Sequence, residues 1–122
     1  MRRVILRDGR LFTIYILQLA SGSHPFMDFL FDLEKNEGSK LMSFIYQVAD
    51  HGPPNNPQKS RKIKGESNLY ELKSSRVRVL YFYAGEGAIV LTHGFMKHSG
   101  PPVQNEIDRA KRLRERYEET YG

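Results

Sequence analysis

The chain has 122 residues, 39% of them hydrophobic and 11% aromatic, which is enough for one modest core and too apolar for a chain disordered throughout. It contains no cysteine, which excludes a disulfide framework and thiolate-held metal and fits a reducing cytosol. The formal charge of +5, with a sequence pI near 9.6, favours anionic partners: nucleic acid, an acidic protein or an anionic membrane surface.

The first segment admits two readings. Met1-Arg2-Arg3, the apolar run Leu11 to Ala20 and Ser21-Gly22-Ser23 resemble a leader peptide in outline. Asp8, Gly9, Thr13, Tyr15 and Gln18 interrupt that pattern, and the run is too short for a membrane span, which needs about 20 apolar residues. Asp8-Gly9 between two β-prone runs instead predicts a hairpin, with Val4 to Arg7 as one strand and Leu11 to Leu19 as the other.

Pro25 is suited to open a helix, where its missing N–H has no partner to lose. Phe26, Phe29, Leu30 and Leu33 follow at helical spacing, and Gly38 is the expected stop. Ser39 is the expected cap of a second helix with Leu41, Phe44, Ile45 and Val48 on one face, ended by Gly52-Pro53-Pro54. The two read as a helical hairpin packed on a sheet.

Beyond the polar loop Asn55 to Ser60 the period changes to two. Arg61 to Gly65 is a short basic strand, Leu69 to Lys73 alternates, and Ser74-Ser75 is a tight turn. Arg76 to Tyr83 is strongly β-prone, with Val77, Val79, Tyr81 and Tyr83 on one side and Arg76, Arg78, Leu80 and Phe82 on the other. After Gly85-Glu86-Gly87, Ala88 to Met96 reads as a central strand. Pro101-Pro102 breaks the chain again, and Val103 to Tyr121 is a basic helix with Ile107, Ala110, Tyr117 and Tyr121 near one face. The order hairpin, two helices, meander, helix reads as one α+β domain over residues 1–122: a small antiparallel sheet with an N-terminal helical hairpin packed on it and a C-terminal helix.

The chain has no GxGxxG, phosphate-binding loop or nucleophile elbow. Of the four histidines, His24, His51, His93 and His98, no two are spaced i, i+4, and no cysteine or carboxylate completes a metal set, so no metal site is expected. What remains is a series of cations on or beside strands: Lys62, Lys64, Lys73, Arg76, Arg78, Lys97 and His98. An antiparallel meander brings Lys73 close to Arg76 and Arg78, and Lys97 and His98 follow the last strand towards the same rim. Such a cluster binds a phosphodiester and stabilises charge developing on it. Strand-end charges are also commonly just solvated. Arg78 stands apart, between Val77 and Val79: it has to be paired, with Glu71 as the nearest partner in sequence, or face a site.

The ordered segments Lys62-Ile63-Lys64-Gly65, Leu69-Tyr70-Glu71-Leu72-Lys73, Arg76 to Tyr83 and Ile89 to Lys97 resemble the core of the HigB-like, phage-derived branch of the RelE/ParE toxin superfamily. Pro25 to Leu30 and Pro102 to Ala110 fit as well, so the resemblance runs from about His24 to Tyr117. It implies a small curved antiparallel sheet with two helices before it and one after. It also implies cleavage of messenger RNA, in many members on the ribosome, by attack of the ribose 2′-hydroxyl on the adjacent phosphate, with no metal and no cofactor. By the same resemblance Arg78 is the central-strand arginine that contacts the scissile phosphate, and Lys73 the cation closing the preceding strand. Lys62 and Lys64 are basic positions before it, and Lys97-His98 is the basic pair after the last strand. His98 replaces the more usual second cation, which gives either a general acid or base or a weaker site. Tyr117 and Tyr121 lie too far along the helix to match the C-terminal tyrosine used by some members.

The implied partners are a cognate antitoxin, usually a helix-turn-helix protein in this branch, together with messenger RNA and the ribosome; the implied location is the cytoplasm, with no membrane contact. Two other readings stay open: an inhibitor of DNA gyrase, as on the ParE side of the superfamily, and an inactive phage-derived remnant that only binds a partner.

Overall fold

The computed structural model describes residues 1–97, 100 and 103–122. Strand β1 (Arg2–Asp8) pairs antiparallel with β2 (Thr13–Gln18), so the expected hairpin forms. Its turn is longer than the Asp8-Gly9 pair: Asp8 lies opposite Thr13, and residues 9–12 make the connection. The Leu11 and Phe12 N–H groups both donate to the Ala49 carbonyl, which draws the loop onto a helix end and lengthens it.

Helix α1 (Pro25–Asp32) starts at Pro25 as expected, and α2 (Lys35–His51) ends at Gly52. Gly52 sits at φ 81°, where a side chain would be strained, and its N–H donates to the Val48 carbonyl. The junction between the helices differs from the expectation. Gly38 is not a stop and Ser39 is not a cap; both lie inside α2. The break comes at Leu33 and Glu34, two consecutive extended residues with ψ of 151° and 150°. A single glycine in a helix costs only about 1 kcal/mol relative to alanine, so Gly38 is accommodated inside α2.

The chain then runs through β3 (Ser60–Lys62), β4 (Tyr70–Ser74), β5 (Val77–Tyr83) and β6 (Ala88–Met96), each antiparallel to the one before. The six strands form one sheet in the order β1-β2-β6-β5-β4-β3. Its one parallel junction, β2 with β6, arises because the meander returns its last strand beside the N-terminal hairpin. Helix α3 (Gln104–Tyr121) follows. Pro101-Pro102, the expected chain break, lies outside the described residues.

Both faces of the sheet are covered, which is why β5 and β6 are nearly continuous apolar runs. On one face Val77, Val79, Tyr81, Ile89 and Leu91 pack against Phe26 of α1 and Leu41, Ile45 and Val48 of α2. On the other, Ile107 and Ala110 of α3 meet Leu80, Phe95, Leu69 and Ile63, while Leu113 and Tyr117 meet Leu17, Phe82 and Val90.

A bulge in β6 sets the faces of its second half. Leu80 opposes His93 but Tyr81 opposes Leu91, so Thr92 is an extra residue, and its hydroxyl donates to the Leu80 carbonyl at 3.1 Å. Before the bulge Val90 faces α3; after it His93 and Phe95 do.

Candidate functional site

Residues opposite each other in a sheet share a face, so register decides which cations meet. Lys73 opposes Arg78, Glu71 opposes Leu80 and Arg61 opposes Glu71. All of these lie on the face that α3 covers. The apolar cluster under α3 takes in Leu80 and Phe95. One step further towards the β4–β5 turn, the same face carries Arg78 and Lys73. Lys97 follows β6 on this side, its N–H donating to the Arg76 carbonyl at 2.8 Å. The charges felt by Lys73 are those of Arg61, Glu71, Arg78 and Lys97.

Glu71 is fully buried, and its Oε1 accepts from Arg61 Nε at 3.2 Å. It is therefore not the partner of Arg78. Arg78 Nη1 instead donates to the Ser75 carbonyl at 2.6 Å and the Val77 carbonyl at 3.1 Å, parking the guanidinium against its own turn. Its Nε is buried with no partner among the described residues, as is Oε2 of Glu71. An unpaired buried donor costs about 1–3 kcal/mol, so Arg78 is held in a state that an oxyanion would relieve. Nε is out of reach of solvent.

The Lys73 ammonium is held below the usual lysine range, first by burial and then by Arg61, Arg78 and Lys97, with Glu71 opposing. Together these groups form an electropositive, partly desolvated patch with one amine poised to give up its proton more readily than an ordinary lysine.

Residues 28–115 match the model of the family described as Phage derived protein Gp49-like. The chain belongs to that family. The match spans the second half of α1, all of α2, the meander and most of α3, and so contains the whole cation cluster. No curated protein sequence matches the chain. Among solved structures, the RelB–RelE antitoxin–toxin complex from Methanococcus jannaschii contains a chain similar at 17% identity and a TM-score of 0.50, with 58% of this chain and 82% of that one covered. The archaeal RelE–RelB complex from Pyrococcus horikoshii OT3 contains another, at 17% identity and a TM-score of 0.52, with coverage of 62% and 89%. At that identity the likeness is one of fold: this Gp49-like chain shares the RelE architecture.

Of the residues singled out in the sequence, Lys73, Arg78 and Lys97 come together. Arg76 is exposed at the turn and joins the cluster through its backbone. Lys62 opposes Tyr70, which packs with Tyr81 and Tyr83, so it lies on the opposite face. Lys64 is exposed in the turn after β3. His98 lies outside the described residues. Arg61 was the residue that sequence reasoning missed. Alternation puts Glu71 and Lys73 on one face, but that Arg61 joins them follows from the β3–β4 register, which the sequence does not carry.

The two C-terminal tyrosines lie elsewhere. Tyr117 is buried under Phe82 at the far end of the face, and its hydroxyl accepts from Arg3 Nη1 at 2.8 Å. Tyr121 accepts from the Arg3 backbone N–H. Both tie α3 to β1. Near the cluster lies the buried His93, its Nε2 3.1 Å from Glu106 Oε1 at the start of α3. No helix among the described residues is long and apolar enough to cross a membrane.

Proposed function

We propose that this protein is the toxin of a type II toxin–antitoxin pair, of the HigB-like branch, and that it is a metal-independent endoribonuclease cleaving messenger RNA, on the ribosome, in the cytoplasm. The observation that carries the reading is Arg78, half-buried and not paired with Glu71, with Lys73 opposite it and Lys97 and Arg61 alongside. The family match and the RelE architecture support it, and the two similar chains are each found in complex with RelB.

In this reaction the ribose 2′-oxygen forms a bond to phosphorus as the bond from phosphorus to the 5′-oxygen breaks. The products are a 2′,3′-cyclic phosphate and a 5′-hydroxyl. Lys73, whose pKa is lowered by burial and the neighbouring cations, is the proton acceptor for the 2′-hydroxyl. Arg78 and Arg61 stabilise the added charge on the non-bridging oxygens. Lys97, with His98 next in the chain, supplies the proton to the departing 5′-oxygen. The cognate antitoxin, a helix-turn-helix protein, silences the enzyme.

The test is brief induction in a bacterium, with mapping of new RNA 5′ ends for the wild type and for Arg78→Gln. Discrete cuts in coding regions that vanish in the variant are expected. Growth arrest with intact messages would overturn the nuclease reading and point to another target such as gyrase.

A further inference from the structure

The β4–β5 turn that closes the cation cluster on one face of the sheet also closes a groove on the other. Between α2, the loop Pro54 to Lys59 and the end of β4 lies a cavity of about 690 Å³. Two lysines line it with their side chains on this face, Lys40 and Lys59, together with hydroxyls that include Ser39, Ser43 and Ser75, and Lys73 borders it from β4; no carboxylate among the described residues lines it. The wall is pinned by the Lys73 N–H, which donates to the Lys59 carbonyl at 2.8 Å. A second cavity of about 310 Å³ continues it along α2. Phe44, Gln47 and Pro54 line both, and the second adds His51 and Asn55.

The two compartments differ in chemistry. The first presents ammonium groups and hydroxyls, which suit a phosphate and a ribose. The second presents an aromatic ring, prolines, two amide side chains and an imidazole, which suit the flat face and polar edge of a nucleobase. The Ser74-Ser75 turn joins this groove to the cluster: Lys73 borders the groove from β4 while its side chain lies on the cluster face, and Ser75 holds Arg78 through its carbonyl.

We infer that the α2 groove is a nucleotide subsite, in which the RNA residue flanking the scissile phosphate crosses the Ser74-Ser75 rim, sets its phosphate and ribose among Lys40, Lys59 and Ser43, and lays its base beside Phe44 against Gln47 and Asn55. This deepens the ribonuclease reading and rests on it. A subsite of this kind gives the enzyme base preference beside the cut, because the amides of Gln47 and Asn55 discriminate between base edges while Phe44 accepts any base. An acidic peptide would use the lysines but leave the second compartment, with its amides and ring, without a role.

The experiment is titration of the full chain, observed by amide chemical shifts, with the four ribonucleoside 5′-monophosphates, inorganic phosphate and an oligoglutamate peptide. Nucleotides are expected to move the amides of Ser43, Phe44, Gln47 and Asn55, with one base bound more tightly than the rest. The double variant Lys40→Gln, Lys59→Gln should bind roughly tenfold more weakly while keeping its dispersed spectrum. Gln47→Ala should narrow the difference between bases. Shifts confined to Arg61, Lys73 and Arg78 would overturn the groove assignment and leave the ribonuclease reading intact. Equal response to phosphate or to oligoglutamate would overturn it too, in favour of a plain anion site or an acidic protein partner. Nucleotide binding in the groove of a chain that cuts no RNA would support the subsite and sink the nuclease.

Discussion

Lys73 and Arg78 face each other directly across the β4–β5 pair, two cations where a sheet would gain from opposite charges. Like charges in that relationship destabilise by roughly 0.2–1 kcal/mol. Lys73→Gln is therefore expected to raise the melting temperature slightly while removing RNA cleavage, and added salt should stabilise the wild type more than the variant. Thermal melts at low and high salt check this; a variant less stable than wild type in low salt would contradict it.

Arg78→Lys keeps the charge but loses the planar fork, and a lysine at this position cannot offer an Nε–Nη edge to a phosphate. Cleavage should drop on the order of 100-fold or more, with stability little changed. Single-turnover cleavage of a short RNA measures it, and near-wild-type rates would show that Arg78 acts only as a point charge.

Glu71 holds Arg61 and opposes the lowering of the Lys73 pKa. Glu71→Gln should push Lys73 further down and cost about 1–3 kcal/mol, the price of disturbing a buried acceptor. The Lys73 side-chain titration followed by NMR gives the first quantity and urea denaturation the second. An unchanged Lys73 titration would mean that Glu71 serves the fold alone.

Gly94 of β6 has no room for a side chain: a Cβ there would run into the Phe29 ring of α1. Gly94→Ala should destabilise by about 1–3 kcal/mol through overpacking, since α1 has to move off the sheet. Phe29→Leu in the same chain should recover part of the loss. Denaturation midpoints for the single and double variants decide the matter.

His93 is held below its ordinary 6.5, first by burial and next by the charge of Arg109, with Glu106 opposing. A group with a lowered folded pKa binds fewer protons in the native state than in the unfolded chain. Stability is thus expected to be level above about pH 7 and to fall as the pH drops through 6.5. His93→Gln should flatten that slope. Urea midpoints from about pH 8 to about pH 5 test it; parallel curves for the two proteins would remove His93 from the account.

The elements were legible where a local rule dominates. Pro25 opened α1, Gly52 closed α2, and alternation from Val77 to Tyr83 assigned both faces of β5 correctly. Reading failed where tertiary contacts override a local signal. Gly38 lies in the first turn of α2 because the helix starts at Lys35, and the first hairpin's turn is stretched by the Ala49 carbonyl.

The sequence by itself determined that the chain is basic, α+β, and equipped with cations at strand ends instead of a nucleophile motif, because composition and period are local properties. Which cations meet was decided only by register and by the Thr92 bulge. Simple alternation from Val90 places Lys97 on the helical-hairpin side of the sheet. The extra residue at Thr92 reverses the parity and sets Lys97 on the α3 side with Lys73 and Arg78. In the same way register, not proximity in sequence, gave Glu71 to Arg61 and left Arg78 without a carboxylate. A period of two makes every face assignment hostage to a single inserted residue, and an insertion of that kind is set by packing between strands far apart in the chain.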